Sequence, residues 1–378
     1  MKLKIKTNIL QEIVNKVTRA STNNKMVPLT GLLSLSVKNG IINAVASDAV
    51  NYFEVSAECS ATEDFAVVVK SDLFSKIVSK TTSEYITLEL VGNALNFTGN
   101  GTYKIELPLD EEGQPIKYPV YWTMGDITES GTISLATVKS AILANKPSLA
   151  LTAEAPYLMN YYCGDNIVSA DSYNICINKS KIFNTPVLLS PMIFDLLSLF
   201  TAESIDYSFD GTKLAFKTGS MKLYAKIQKG IEDYPVEAIM GYTEEDLPSS
   251  CAVSKSLLLA VIDRLSLFIS DFDVNGVYLD FTKDGLKVTS KNNSGSELIT
   301  YQESNNFTPF VCLVSVDALK KQVNARSGDI LYIQYGLNNA LKFVDGNILH
   351  VVALLEDDVA ADDNSAEIAP EEIEDSVE

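Results

Sequence analysis

Histidine is almost absent from this 378-residue chain, which contains one, His350. A hydrolase of the Ser-His-Asp type would have to use it. However, His350 lies in the run 348–352, which is typical of a strand, and an ordinary strand residue explains it fully. The chain also lacks a Gly-rich loop that ends in Gly-Lys-Ser or Gly-Lys-Thr; its nearest run, 99–103, is typical of a hairpin tip. These absences count against an enzyme, and no catalytic residue is predicted.

Clustered metal ligands are lacking as well. The run 271–276 is similar to the first half of a calcium-binding loop, but the twelfth position is Thr282, where a bidentate Glu is required. The five cysteines are odd in number, and no two are closer than 13 residues. We interpret them as small buried side chains in a reducing compartment. No metal site and no cofactor are predicted.

Long apolar runs are missing too. None approaches the roughly 20 residues that a membrane-spanning helix needs. The chain begins with Met1-Lys2-Leu3-Lys4, which favours a strand with alternating lysines over a signal peptide. We therefore expect no membrane partner and a cytoplasmic location.

Positive charge is scarce at the end of the chain. From Glu356 to Glu378 there are eleven acidic residues and no Lys or Arg, against a net charge of −19 for the whole chain. Low hydrophobicity combined with high charge predicts a disordered acidic tail over 358–378. A solubilising tail is one interpretation, and an interaction segment that uses Ile368 and Ile373 is the other.

What the chain does contain is a threefold repeat of secondary-structure signals. Three landmarks recur at spacings of 119 to 128 residues. Their corresponding residues are Val14, Ile142 and Ile262 in a first helix, Ser71, Ser190 and Ser315 at the start of a second helix, and Gly92, Gly211 and Asn338 in a hairpin. Each unit is predicted to contain a helix, several antiparallel strands, a second helix and more strands. The chain is therefore predicted to form three α+β domains, at 1–127, 128–247 and 248–357.

Basic residues recur on the predicted helices of this acidic chain. If equivalent helices face one way, their charges merge into a basic face, which is typical of sequence-independent nucleic-acid binding. Scattered surface lysines are the alternative, and the second helix of the middle unit has no basic residue. The candidate DNA-binding residues are Lys16, Arg19, Lys25, Lys76, Lys80, Lys146, Arg264, Lys320, Lys321 and Arg326.

The order of these signals resembles the bacterial DNA polymerase III β subunit family, the β sliding clamps, in a divergent form. The run 167–177 is similar to the family's Val-Ala-Thr-Asp-Gly-His-Arg-Leu-Ala-Val segment. The segments 223–227 and 230–235 resemble its Lys-Leu-Val-Asp-Gly-Arg-Phe-Pro-Asp-Tyr. The run 350–355 is similar to its terminal Tyr-Val-Val-Met-Pro-Met. The resemblance covers about residues 1 to 357 and leaves open whether a bacterium or a phage encodes the chain.

The resemblance implies three tandem DNA-clamp domains in each chain and a head-to-tail homodimer ring, with helices lining the channel and antiparallel sheets outside. Such a ring encircles double-stranded DNA, acts as the replication processivity factor and has no catalytic activity. It works in the cytoplasm of a bacterial cell or an infected host. The subunit contacts expected from the resemblance are Ile105, Leu107 and Leu109 on one chain and Leu267 and Phe268 on the other.

The resemblance also implies a hydrophobic pocket that binds short peptides of the DNA polymerase and the clamp loader. The matching positions are Leu158, Ala170, Ser172, Tyr173, Asn174, Ile175, Ile239, Met240, Val351, Ala353, Leu354 and Leu355. This chain departs from the family pattern at 172–175, where Gly-His-Arg-Leu is usual, and at Leu354, where Pro is usual. Peptide specificity is therefore not transferable, although the apolar character of the pocket is kept.

Two other functional classes remain open at this stage. One is a non-catalytic tandem-repeat scaffold or virion protein associated with DNA, which retention on circular DNA would distinguish from a clamp. The other is an enzyme of carbohydrate or nucleotide metabolism, against which the missing phosphate loop, metal cluster and triad argue.

Overall fold

The computed structural model describes residues 1–22, 24–119, 122–152, 154–245, 247–268, 275–336 and 340–356. Its elements occur in an order that repeats three times: a strand and a helix, further strands, a strand and a second helix, and three final strands. The predicted tail, the acidic run 271–274 and Asn338 lie outside the described residues.

The first helix of the first repeat is amphipathic: its residues Leu10, Ile13, Val14 and Val17 are buried, and their spacing places them on one helical face. The elements of this repeat are β1 (Lys2–Lys6), α1 (Thr7–Val17), β2 (Leu32–Lys38), β3 (Ile41–Ser47), β4 (Tyr52–Glu58), β5 (Ser60–Ala61), β6 (Phe65–Lys70), α2 (Ser71–Ser79), β7 (Tyr85–Val91), β8 (Ala94–Thr98) and β9 (Thr102–Glu106).

The second repeat has a shorter second helix, which begins at Pro191, a residue that needs no amide hydrogen at this position. Its elements are β10 (Glu129–Ser134), α3 (Leu135–Asn145), β11 (Tyr161–Cys163), β12 (Ile167–Ala170), β13 (Asn174–Asn178), β14 (Val187–Leu189), α4 (Pro191–Leu197), β15 (Ser204–Phe209), β16 (Lys213–Lys217) and β17 (Met221–Lys226), followed by α5 (Val236–Glu244).

In the third repeat, serine hydroxyls cap both helices, because Ser254 Oγ accepts from the Leu257 amide and Ser315 Oγ accepts from the Ala318 amide. Its elements are β18 (Ser249–Ser254), α6 (Lys255–Leu265), β19 (Gly276–Phe281), β20 (Leu286–Ser290), β21 (Ser296–Ile299), β22 (Glu303–Asn305), β23 (Phe310–Ser315), α7 (Val316–Asn324), β24 (Ile330–Tyr335), β25 (Ala340–Asp345) and β26 (Ile348–Ala353).

Contacts group the chain into two compact units rather than three. Unit 1 comprises the described residues of 1–142, 151–167 and 180–234, and unit 2 comprises those of 143–150, 168–179 and 235–356. The second repeat is divided because its strands join two different sheets. The three boundaries expected from the sequence therefore stay a prediction, whereas the repeated element order is observed.

Two antiparallel sheets lie entirely within unit 1, where β11 and β14 also pair with each other. The smaller has the strand order β5-β1-β7-β8-β9. The larger has the order β10-β15-β16-β17-β4-β3-β2-β6, in which β17 of the second repeat pairs with β4 of the first, as Met221 with Val55 and Leu223 with Phe53. This pairing joins the two repeats through backbone hydrogen bonds.

Unit 2 is built in the same way. The order β13-β26-β25-β24-β18-β22 joins β13 of the second repeat to β26 of the third, and a second sheet has the order β21-β20-β19-β23. Helices α6 and α7 lie over a core that includes Leu258, Ile262, Leu319 and Val323. No helix in the described ranges is long and apolar enough to cross a membrane.

Candidate nucleic-acid interface

A polar groove of about 820 Å³ lies between α1 and α2 in unit 1. Four charged residues line it: Glu12, Arg19, Asp72 and Lys76. Most of the remaining lining is hydroxyl and amide side chains, including Asn15, Thr18, Ser75 and Ser79. The two positive and two negative charges cancel, so that the groove is polar without being strongly basic.

Two of the candidate DNA-binding lysines in unit 1 are held by acids on their own helices. Lys16 Nζ lies 2.7 Å from Glu12 Oε1, and Lys76 Nζ lies 2.7 Å from Asp72 Oδ2. Both are pairs of residues four apart on a helix, with the acid on the N-terminal side, which is the favourable order. Three further candidate residues of this unit, Arg19, Lys25 and Lys80, are exposed.

In unit 2, two candidate cations on α6 and α7 are also paired with carboxylates. Lys320 Nζ lies 2.6 Å from Asp263 Oδ1, which links α7 to α6. Arg264 donates from Nε and Nη2 to the two carboxylate oxygens of Glu297 at 2.7 and 2.5 Å, which links α6 to β21. These hydrogen bonds lower the pKa of Glu297 and raise that of Arg264.

Lys146 and Lys321 are exposed in unit 2. Lys146 begins a 3₁₀ turn, Lys146–Ser148, that packs beside α7, because Gln322 Nε2 donates to Ser148 Oγ at 2.9 Å. The same hydrogen bond therefore holds the backbone next to Lys146 against the helix that carries Lys321.

Arg326 is placed differently from the sequence interpretation. Its side chain is 4% exposed, and the guanidinium donates to the carbonyl oxygens of Ile348 and Phe343. Burial lowers the pKa of Arg326 to about 10. Because its donors are used inside unit 2, Arg326 is not available to a phosphate, and its assignment as a DNA-binding residue is wrong.

The side chain of His350 is also buried. It is fully buried in β26, opposite Cys176 of β13, with Nε2 3.1 Å from the Ala144 carbonyl oxygen. Burial, together with the positive charge of Arg326, lowers the pKa of His350 to about 3. The ring is therefore neutral at physiological pH and has the structural role expected from the sequence.

Most of the candidate peptide-pocket residues belong to unit 2, whereas Leu158 belongs to unit 1. In unit 2, β13 and β26 pair so that Asn174 faces Val352 and Ile175 faces Val351. The Ala353 amide donates to the Tyr173 carbonyl at 2.8 Å, which extends this pairing beyond the strands. Five candidate side chains remain partly exposed around these strands and α5. They are Ile175, Met240, Ala353, Leu354 and Leu355.

The remaining candidate pocket positions of unit 2 fall into two groups. Ala170, Asn174, Ile239 and Val351 are buried, and Ser172 and Tyr173 are exposed. Leu355 is fixed at the backbone, because its amide donates to the Leu313 carbonyl at 2.8 Å. Leu354 packs against the core of unit 2. The unit 2 residues of the candidate pocket therefore lie at one sheet end and on α5.

The candidate subunit contacts divide by exposure. Ile105 and Leu107 are buried inside unit 1, so the expected side-chain contact with a second copy is wrong at these two positions, whereas a contact through the backbone of β9 stays a prediction. Leu109 is exposed, as are Leu267 at 81% and Phe268 at 52%.

The structure adds two exposed residues to the candidate subunit contacts, Tyr103 on β9 and Leu298 on β21, which the sequence analysis did not identify. Both strands are sheet edges: β9 ends the smaller sheet of unit 1, and β21 ends the four-stranded sheet of unit 2. Tyr103 has the same parity as the buried Ile105, but it lies near the hairpin end of β9, where its ring contacts Phe97 on one side and stays 46% exposed. The Asn100-Gly101 hairpin signal could therefore have found it.

Residues 1–116 match the family model of the DNA polymerase III beta subunit, N-terminal domain. No curated protein sequence matches the chain. Solved structures match over nearly the full length. The sliding clamp of Bacillus subtilis is 16% identical, with a TM-score of 0.80, and the alignment covers 94% of this chain and 99% of that one.

Two further solved structures match this chain to a similar extent. The beta subunit of Streptococcus pyogenes is 14% identical with a TM-score of 0.82, covering 94% of this chain and 100% of that one. The C. crescentus beta sliding clamp, solved with PEG bound to a putative beta-motif tethering region, is 14% identical with a TM-score of 0.77, covering 94% and 99%. The chain therefore has the α+β sliding-clamp fold, and its predicted resemblance to a divergent β-clamp is confirmed.

Proposed function

We propose that this chain is a DNA sliding clamp, a replication processivity factor that encircles duplex DNA as a head-to-tail ring of two copies. The observation that carries the proposal is the clamp fold along 94% of the chain, together with the family match of its first 116 residues. The role is that of a non-catalytic accessory subunit of a DNA polymerase, working where a bacterial or phage genome is copied, in the cytoplasm.

The DNA contacts of the proposed ring are electrostatic and independent of sequence. A ring stays on DNA by topology, so it needs only weak attraction to phosphates. Exposed cations on or beside the helices supply that attraction. They are Arg19, Lys25, Lys80, Lys146 and Lys321. The net charge of −19 discourages DNA from binding to the rest of the surface.

Ring closure is proposed to join β9 of one copy to β21 of the other. A sheet edge offers backbone donors and acceptors to another strand, and an exposed apolar edge favours such pairing. Both edges have exposed apolar side chains nearby, Tyr103 and Leu109 in unit 1 and Leu267, Phe268 and Leu298 in unit 2. Because the two edges differ, the contact is head-to-tail and two copies close with two identical interfaces.

Partner binding is proposed at the partly exposed residues around β13, β26 and α5, with Leu158 as the further candidate that the resemblance supplies. Half-buried aliphatic side chains such as Ile175, Met240 and Leu355 suit an apolar peptide anchor. The C. crescentus clamp has PEG bound to a tethering region of its own, which supports a peptide site on this fold. The expected occupants are short segments of the DNA polymerase and the clamp loader.

Light scattering of the purified protein tests the proposal. The ring has twice the chain mass of 41.3 kDa, about 83 kDa. A mass that stays at 41.3 kDa at micromolar concentration contradicts the ring and favours a monomeric DNA-associated scaffold.

A further inference from the structure

Lys16, Lys76, Arg264 and Lys320, all assigned to DNA binding from the sequence, are bound by carboxylates, and the pattern recurs in both units. The first helix pair has Lys16 with Glu12 and Lys76 with Asp72, both at 2.7 Å. The last helix pair has Lys320 with Asp263 at 2.6 Å and Arg264 with Glu297 at 2.5 Å. Each of these helices therefore presents cations whose charge is already balanced locally.

The balance is clearest in the groove between α1 and α2. Its charged lining consists of Glu12, Arg19, Asp72 and Lys76, which sum to zero. The carboxylates of Glu12 and Asp72 are largely exposed, at 63% and 73%, so they meet any phosphate that approaches their lysines. The Lys16 side chain is only 16% exposed, so its ammonium group is both paired and shielded.

We propose that Glu12, Asp72 and Asp263 act as restraints on DNA binding: they hold Lys16, Lys76 and Lys320, on α1, α2 and α7, in ion pairs and so keep the phosphate attraction weak. This inference rests on the proposed clamp function and goes beyond it. A ring that topology retains gains nothing from tight phosphate contacts, which would slow its sliding, whereas a protein that relies on affinity alone would gain from them.

The expected effect of removing a restraint follows from counterion release. Each phosphate that a lysine neutralises on B-DNA contributes about −0.9 to the slope of log affinity against log salt concentration. At 0.1 M salt one additional contact therefore strengthens binding by roughly 8-fold relative to a 1 M reference. Glu12→Gln with Asp72→Asn releases two lysines, Lys16 and Lys76, and is expected to steepen the slope by up to about 1.8.

The test measures binding to a short linear duplex of mixed sequence by fluorescence anisotropy, between about 50 and 300 mM KCl. A linear duplex removes topological retention, so the measured affinity reports the phosphate contacts alone. The matched control is Glu58→Gln with Glu112→Gln. Glu58 ends β4 and Glu112 lies in a turn, both are exposed in unit 1, and neither lines the groove.

The proposal predicts tighter binding and a steeper salt slope for Glu12→Gln with Asp72→Asn, and a change under about twofold for the control, because screening weakens distant charges. A slope equal to that of the unaltered protein, or an equal change in the control, overturns it. Asp263→Asn repeats the test independently in unit 2, where it releases Lys320.

A further variant separates failure of this inference from failure of the proposed function. Arg19→Glu reverses an exposed cation of the same groove and is expected to weaken binding. If the unaltered protein binds the duplex and Arg19→Glu weakens it, while the carboxylate variants change nothing, the restraint is refuted and the clamp proposal stands. If neither the unaltered protein nor any variant binds at the lowest salt concentration, the proposed phosphate contacts and the restraint on them are both refuted, whereas encirclement itself is tested by retention on circular DNA.

Discussion

Lys321 and Arg326 lie five residues apart, the first in the last turn of α7 and the second two residues after the helix ends, and they differ in exposure. Lys321 is exposed and Arg326 is buried. We therefore predict that Lys321→Ala changes DNA binding and leaves stability intact, and that Arg326→Ala does the reverse. The pair is a matched test, because both substitutions remove one positive charge from the same short segment.

The cost of Arg326→Ala can be worked out from its contacts. Loss of the buried aliphatic stem costs about 2 kcal/mol. Loss of two hydrogen bonds from a charged donor, to Ile348 and Phe343, costs about 3 kcal/mol. Removing the buried charge returns about 3 kcal/mol, the desolvation reflected in a pKa lowered to about 10. The net destabilisation is about 2 kcal/mol.

Hydrogen exchange followed by mass spectrometry measures this locally, in the peptides that cover β25 and β26. A loss of about 2 kcal/mol raises the exchange of their slowest amides by roughly 30-fold. Lys321→Ala is expected to leave exchange unchanged, to weaken binding to a linear duplex by roughly 8-fold at 0.1 M salt and to reduce the salt slope by about 0.9. If Arg326→Ala alters the salt slope without altering exchange, or Lys321→Ala leaves the slope unchanged, the assignment of the two residues is refuted.

The remaining predictions concern pH, ring closure and peptide binding. The pKa of His350 is lower in the folded protein than in the unfolded chain, so the unfolded chain binds the proton first as the pH falls. The free energy of unfolding therefore decreases below about pH 6.5, by about 2 kcal/mol between pH 7 and 5. Urea unfolding of the full chain at pH 7 and pH 5 measures this decrease for the transition of unit 2, and His350→Gln should remove this pH dependence. Leu298→Arg on edge strand β21 should halve the mass seen by light scattering, whereas Val311→Arg on β23, the opposite edge of the same sheet, should not. Leu158→Ala with Leu354→Ala should abolish calorimetric binding of a polymerase-derived peptide, and retained affinity would contradict the proposed pocket.

The fold was largely predictable because periodicity and turn residues report local structure. The helical run around Val14 and the serine-started helix at Ser315 are where the repeat predicts them. Ser71 marks the same landmark of the repeat as Ser315 but differs from it in the local hydrogen bonding. Its hydroxyl provides no cap, because α2 already includes it as a helical residue and Lys70 takes the capping position.

The site was less predictable because charge in a sequence does not reveal its partner. The pairs of Lys16 with Glu12 and Lys76 with Asp72 follow from a spacing of four residues on a helix. The pair of Arg264 with Glu297 does not, since β21 lies 33 residues further along the chain.

Arg326 and Ile105 differ from expectation for a related reason, which is that a sequence does not show the direction of a side chain. Helix α7 ends before Arg326, so helical spacing no longer places its side chain, and the chain turns it inward. On β9 the burial pattern alternates weakly, with Ile105 as the one buried residue of the strand, so the apolar pattern alone does not distinguish an inward side chain from a surface contact.

Topological retention on circular DNA tests the central claim most directly. The protein is threaded over the ends of a linear plasmid at low salt, the plasmid is closed into a circle by DNA ligase, unbound protein is removed at high salt, and the circle is then cut once by a restriction enzyme. A closed ring is expected to stay on the circle at high salt, where phosphate contacts are screened, and to be released when the circle is cut, because it slides off the ends. Equal loss from circular and linear DNA at high salt would contradict the claim that this chain encircles DNA.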